Sequence, residues 1–185
     1  MKPRISADIV NIDDMLEVLA VRSALEWWGV QVTLHLVGEA KDVVRILGGE
    51  EEISKNVILM CHGNDKGLVL PELHPSIEEK QPYHGALTPT DLKKFLHLPD
   101  CIVLNTGCSL GTPEFADAFL QAGCQAYIAP LGDPDGGASL FYVLHFYYEW
   151  ICRGNDMKKA HERASSHDEE TRMFKLYESV KGEKQ

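Results

Sequence analysis

Two side chains in this sequence can do chemistry at the ends of apolar runs: the imidazole of His62 and the thiol of Cys108. His62-Gly63 follows Val57-Ile58-Leu59-Met60-Cys61, and Gly107-Cys108-Ser109-Leu110-Gly111 follows Cys101-Ile102-Val103-Leu104-Asn105-Thr106. Short apolar runs between polar flanks read as strands buried on both faces. In open α/β sheets, ligands bind beyond the carboxyl ends of such strands. A thiol is a good nucleophile only as thiolate, or beside a base that takes its proton. His62 and Cys108 are 46 positions apart, so no local motif joins them. Two neighbouring parallel strands would bring them together. Glycines beside both residues let backbone N–H groups approach a ligand closely. The N–H groups of Gly63 and Cys108 are therefore the candidate oxyanion hole. The helix start at Thr112-Pro113 would add a positive helix end nearby.

The remaining elements read in order as a scaffold for these ends. Ile5–Ile12 carries a weak strand signal. Asp14 with Glu17 marks a helix start, Val18, Val21, Leu25 and Trp28 recur at helical spacing, and Gly29 stops the helix. From Val30 to Leu36 apolar and polar residues alternate, which predicts a strand near a sheet edge. Glu39 to Leu47 reads as a short helix. Leu68-Val69-Leu70 reads as a hairpin strand within an irregular excursion. Thr88-Pro89-Thr90-Asp91 opens a helix with threonine as cap and proline at its first position. Thr112-Pro113-Glu114 opens the next, ended by Gly123, and Gln125 to Ala129 is a further strand. A turn-rich loop, Leu131 to Gly137, precedes a long aromatic helix, Ala138 to Arg153, and another from Met157 to Ala164. Met173, Phe174, Leu176 and Tyr177 read as a last helix. Strands alternating with helices predict a three-layer α/β/α fold with a mostly parallel central sheet. The 185 residues suit one domain, a core over 1–165 followed by a polar tail over 166–185.

The totals exclude some classes. Net charge is −10 and the pI about 5.2, which argues against nucleic-acid binding through basic patches. The 44% hydrophobic and 25% charged fractions are ordinary for a globular chain. No stretch approaches the ~20 apolar residues of a membrane span. The N-terminus Met1 to Ile5 is basic, but Asp8, Asp13 and Asp14 interrupt any hydrophobic run after it, so no signal peptide is expected. Five cysteines, an odd count, then predict a reduced, cytoplasmic protein.

The ordered set His62-Gly63, Leu87-Thr88-Pro89-Thr90-Asp91-Leu92, Cys108-Ser109-Leu110-Gly111 and Phe115-to-Ala129 resembles the caspase-like cysteine peptidase clan, and within it the CHAT domains. The late run Tyr147 to Ala164 resembles the end of a CHAT domain, so the likeness covers nearly the whole chain. It implies a cysteine endopeptidase, a thiol protease with His62 as general base and Cys108 as nucleophile, acting on a peptide or protein substrate. Gly107 stands where the family usually has alanine, and Ser109-Leu110 where CHAT domains favour an acidic residue and threonine. The tryptophan common after the next strand is replaced around Gly132. The usual appended repeat domains are absent, which predicts a bare catalytic module or part of a multi-chain system. In the clan the loop after the strand that Gln125 to Ala129 matches contributes to the specificity pocket. Asp133 or Asp135 there would select a basic side chain by a charge-assisted pair. Asp-Pro-Asp-Gly is also ordinary turn chemistry.

The competing reading is a non-catalytic binding or regulatory module that keeps the fold. A third is reversible thiol oxidation at Cys108. No cofactor site is expected. Cys61, Cys108 and His84 lack the tight ligand spacing of a metal site, and Cys61 reads as core. His35, His74, His97, His145, His161 and His167 are expected on solvent-facing or helix surfaces. Trp27, Trp28 and the aromatics from Phe141 to Trp150 read as core or as a self-association face of a homo-oligomer.

Overall fold

The computed structural model describes residues 5–12 and 16–179. In chain order the elements are β1 (Ser6–Ile12), α1 (Leu16–Trp27), β2 (Gln31–Val37), α2 (Ala40–Leu47) and β3 (Asn56–Met60). The excursion follows, with β4 (Gly63–Asn64), β5 (Gly67–Val69), α3 (Pro75–Glu78) and β6 (Ala86–Leu87). Then come α4 (Pro89–Phe95), β7 (Ile102–Asn105), α5 (Pro113–Gln121), β8 (Ala126–Pro130), α6 (Gly136–Tyr147), α7 (Met157–Ser165) and β9 (Phe174–Glu178).

Six strands form one sheet in the order β2-β1-β3-β7-β8-β9, and β4-β5-β6 form a small antiparallel sheet above it. All pairings in the large sheet are parallel except β8 with β9. Alternation along β3 explains the layers, because successive side chains point to opposite faces. Val57 and Leu59 enter a core built with α2, α4 and α5, while Ile58 and Met60 enter a second core built with α1, α6 and α7. Both faces are covered, which is why Val57 to Met60 of β3 and Ile102 to Leu104 of β7 are all apolar. Fully burying one such Ile or Leu contributes about 1.5–3 kcal/mol. The result is the three-layer α/β/α architecture. The edge position of β2 accounts for the exposed or half-buried side chains from Gln31 to Leu36.

Local starts and stops follow the side chains. Thr88 accepts from the Asp91 N–H, Asp91 accepts from the Thr88 N–H, and Pro89 takes the first position of α4. Pro113 does the same for α5. Asp135 caps α6 by accepting from the Gly137 N–H, and Asp156 caps α7 by accepting from the Lys159 N–H. Asp14, expected to open α1, lies outside the described residues.

Three expectations are corrected. The stretch read as a last helix is a short 3₁₀ turn (Thr171–Met173) and then β9, antiparallel to β8. Phe174 and Leu176 pack into the second core and Tyr177 against the first, the alternation of a strand between two covered faces. The long aromatic helix is α-helical only to Tyr147 and ends in a π-helical turn, Tyr148–Cys152. That turn places Glu149 inside, where it accepts from Asn155 at 2.6 Å and pairs with Arg163 at 3.3 Å. Finally, His35 is not a surface residue. Its Nε2 meets the buried Asp8 carboxylate at 2.6 Å across the β2–β1 pair.

Candidate active site

Parallel pairing between β3 and β7 sets the geometry. Asn56 pairs with Ile102 and Leu59 with Asn105, an offset of 46 that also separates His62 from Cys108. Both residues lie just past the paired segment, at adjacent carboxyl ends. Both line one small cleft of about 150 Å³, together with Glu17, Met60, Cys61, Thr106, Pro134, Gly136 and Ser139. The pleat places His62 and Cys108 on the side of the sheet that carries α1 and α6, and those helices supply Glu17, Gly136 and Ser139.

The chain reverses direction tightly after His62. A Cβ built on Gly63 would lie 2.2 Å from the Cys108 carbonyl oxygen and 2.7 Å from Leu110 Cγ. Glycine at 63 is what allows the His62 turn to rest on the Cys108 backbone. Past the turn, β4 and β5 pair, and the Val69 N–H donates to the His62 carbonyl at 3.0 Å.

The Cys108 loop is braced from four sides. Buried Asn105 accepts from the Gly107 N–H at 2.9 Å and donates to the Tyr127 hydroxyl at 3.1 Å. Tyr127, stacked on Phe119, donates to the Leu110 carbonyl at 2.9 Å. The Tyr177 hydroxyl donates to the Gly111 carbonyl at 2.7 Å. Ser109 sits in the left-handed region at φ 59, with its N–H on the Gly132 carbonyl and its hydroxyl donating to Asp133 at 2.7 Å.

Electrostatics hold the thiol protonated at rest. Cys108 is half-buried, and burial raises its pKa above the ordinary thiol value; the Asp133 and Glu17 carboxylates add to the rise, and its own backbone N–H opposes it. A thiol held in this state reacts only where a base can take its proton, and the exposed imidazole of His62 lines the same cleft. Cys61 is raised further by burial, and its thiol points at Asn105 Oδ1 at 3.3 Å.

The structure places the other sequence candidates as follows. Asp133 lies beside the Cys108 loop, bound to Ser109, and acts on the Cys108 thiol through space. Asp135 is engaged as the α6 cap. The helix whose amino end lines the cleft is α6, through Gly136 and Ser139; α5 packs on the opposite face. His84 pairs with Glu78 at 3.1 Å, away from Cys61 and Cys108. Glu17, Thr106 and Ser139 were not singled out from sequence as cleft residues. Thr106 carried a usable signal, since it alternates with Cys108 on the same strand end.

No family model and no curated protein matches this sequence. Solved structures do. The Saccharomyces cerevisiae separase in complex with securin matches with TM-score 0.56 and 12% identity over 96% of this chain and 12% of separase. The Arg-specific cysteine proteinase gingipain R matches with TM-score 0.59 and 12% identity over 94% of this chain and 46% of that one. The fold is caspase-like, the α/β architecture shared by these cysteine peptidases. The chain spans about an eighth of separase and under half of gingipain R. Among the described residues, no helix is long and apolar enough to cross a membrane.

Proposed function

We propose that this chain is a CHAT-like cysteine endopeptidase that cleaves peptide bonds by acyl transfer. The observation that carries the reading is the convergence of His62 and Cys108 on one cleft, beyond the ends of adjacent parallel strands. His62 takes the Cys108 proton, and Sγ attacks the scissile carbonyl. The Gly63 and Cys108 N–H groups receive the oxyanion. His62 protonates the leaving amine, and water hydrolyses the thioester. The amino end of α6 favours the negative charge that develops there. Asp133, with Asp135 behind it, gives the cleft an acidic rim suited to a basic side chain before the cut. The setting is a reducing, cytoplasmic one.

The raised Cys108 thiol favours a second reading, a non-catalytic module whose partner occupies the same cleft. Labelling with a panel of peptidyl ketones that differ in the recognised residue, read by intact mass and peptide mapping, separates the two. A single adduct on Cys108 that requires His62 and one peptide side chain is expected. A thiol that a simple alkylating agent modifies, and that no peptide probe does, overturns the peptidase reading.

A further inference from the structure

The end of the sheet that holds the His62 and Cys108 cleft carries a second opening. It lies two strands over, where β8 ends at Pro130 and β9 begins at Phe174 opposite it. There a depression of about 460 Å³ is lined by Leu131, Gly132 and Met173, with Glu169, Arg172 and Lys175 at its rim. One loop separates it from the cleft: Pro134 lines the cleft, while Gly132 and Leu131 line the depression. That loop is held from both sides. The Ser109 N–H donates to the Gly132 carbonyl at 2.9 Å, and the Leu131 N–H donates to the Met173 carbonyl at 2.9 Å.

The floor of the depression is apolar and unfilled by the chain itself. Leu131 is 47% exposed, and Met173 beside it is half-buried. Gly132 keeps the floor open, since a Cβ there would lie 3.0 Å from Met173 Sδ. A thioether is soft and adapts to apolar groups of different shape. At the rim Lys175 Nζ donates to the Arg172 carbonyl at 3.1 Å, and Glu169 offsets one of the two cations. Burial of apolar surface, more than ion pairing, is therefore what this depression offers a ligand. An apolar floor with a few polar groups around it is the usual make-up of a side-chain pocket.

We infer that this depression is a second specificity pocket, which takes a large apolar side chain (leucine, methionine or phenylalanine) three residues upstream of the residue before the cut. The inference rests on the peptidase reading, which sets the residue before the cut at Asp133, on this side of the cleft. Sheet geometry then gives the spacing. The cleft lies beyond β3 and β7 and the depression beyond β8 and β9, two strand spacings along the sheet, or about 10 Å. An extended chain covers about 3.3 Å per residue, so about three residues bridge the two openings. Binding energy gained this far from the reacting carbonyl holds the substrate in register over Cys108.

The test uses peptidyl ketones that share the residue before the ketone and carry leucine, phenylalanine, alanine or glutamate three residues upstream, beside a short ketone that lacks the upstream residues. The rate of Cys108 labelling is read by intact mass. Leucine and phenylalanine probes should label about tenfold faster than the alanine and glutamate probes, the discrimination an apolar pocket gives. Leu131→Lys should bring the four rates within about twofold of one another. Leu36→Lys, 57% exposed and on the far edge strand β2, should keep the preference. If no ketone of either length labels Cys108, the peptidase reading falls and the pocket with it. If the short ketone labels but the four long probes react alike, the pocket alone is overturned. A preference for glutamate, or a preference for leucine that survives Leu131→Lys, overturns it too.

Discussion

Replacing Gly63 by alanine tests the claim that the His62 turn rests on the Cys108 backbone. The new Cβ would stand 2.2 Å from the Cys108 carbonyl oxygen, where ordinary contact needs 3.4 Å or more. One backbone segment must therefore give by about 1 Å. Neither can do so cheaply. The Cys108 loop is tied through Asn105, Tyr127, Tyr177 and Asp133, and the His62 carbonyl is tied to Val69. Overpacking of this kind costs about 1–3 kcal/mol. For a chain of this size the melting temperature should fall by about 2–12 °C. On the proposed chemistry, a displacement of about 1 Å between His62 and Cys108 should slow reaction of Cys108 with a peptidyl probe by about 100-fold. The assays are thermal unfolding by circular dichroism and the rate of Cys108 labelling resolved by peptide mapping. Gly38→Ala is the control, since nothing lies within 4 Å of its added Cβ. If Gly63→Ala melts with the wild type and labels Cys108 within twofold of its rate, the packing argument is wrong.

Other outcomes follow from the same contacts. Asn105→Ala strips partners from the buried Gly107 N–H and Tyr127 hydroxyl and should cost about 2–4 kcal/mol in a urea titration. Asp133→Asn removes a carboxylate that raises the Cys108 thiol, so the midpoint of iodoacetamide alkylation at Cys108 should move to lower pH; an unmoved midpoint excludes the through-space effect. Burial pushes the Asp8 carboxyl up, but His35 and the Ser54 N–H outweigh it and leave its pKa below the ordinary carboxylate value. That stability is present above the unfolded value near 4 and is lost as pH falls through the folded one; Asp8→Asn should flatten the acid limb of an unfolding curve. Burial raises Cys61, Cys101, Cys108 and Cys124, so their contribution is complete below the ordinary thiol value and should fade as pH climbs above about 9, which chemical unfolding across pH 8–11 reads directly.

The sequence showed most clearly what burial on both faces imposes. The apolar runs before His62 and Cys108 stood out, because β3 and β7 are covered above and below. Their convergence follows from one parallel register. The alternation of β2 likewise announced an edge. Signals failed where partners lie far apart in sequence. Ile5–Ile12 gave only a weak strand signal, and only the topology shows that His35, 27 residues on, receives its Asp8. Phe174 to Tyr177 carries apolar residues on both strand faces, which copies a helical spacing and hides β9. The π-helical turn depends on Glu149 meeting Arg163 and Asn155, which no local pattern reports. Glu17, Thr106 and Ser139 come to the cleft from three separate elements, so only the assembled layers reveal them.

The brace from Tyr177 to Gly111 also bears on when the site takes shape during synthesis. The two partners are 66 residues apart. At about 5–20 residues per second, the ribosome needs roughly 3–13 s to make that span. For that interval the thiol has been synthesised but the strand that pins its loop has not. The bracing of the Cys108 loop is thus completed late, and a nascent chain carries that thiol on an unpinned loop.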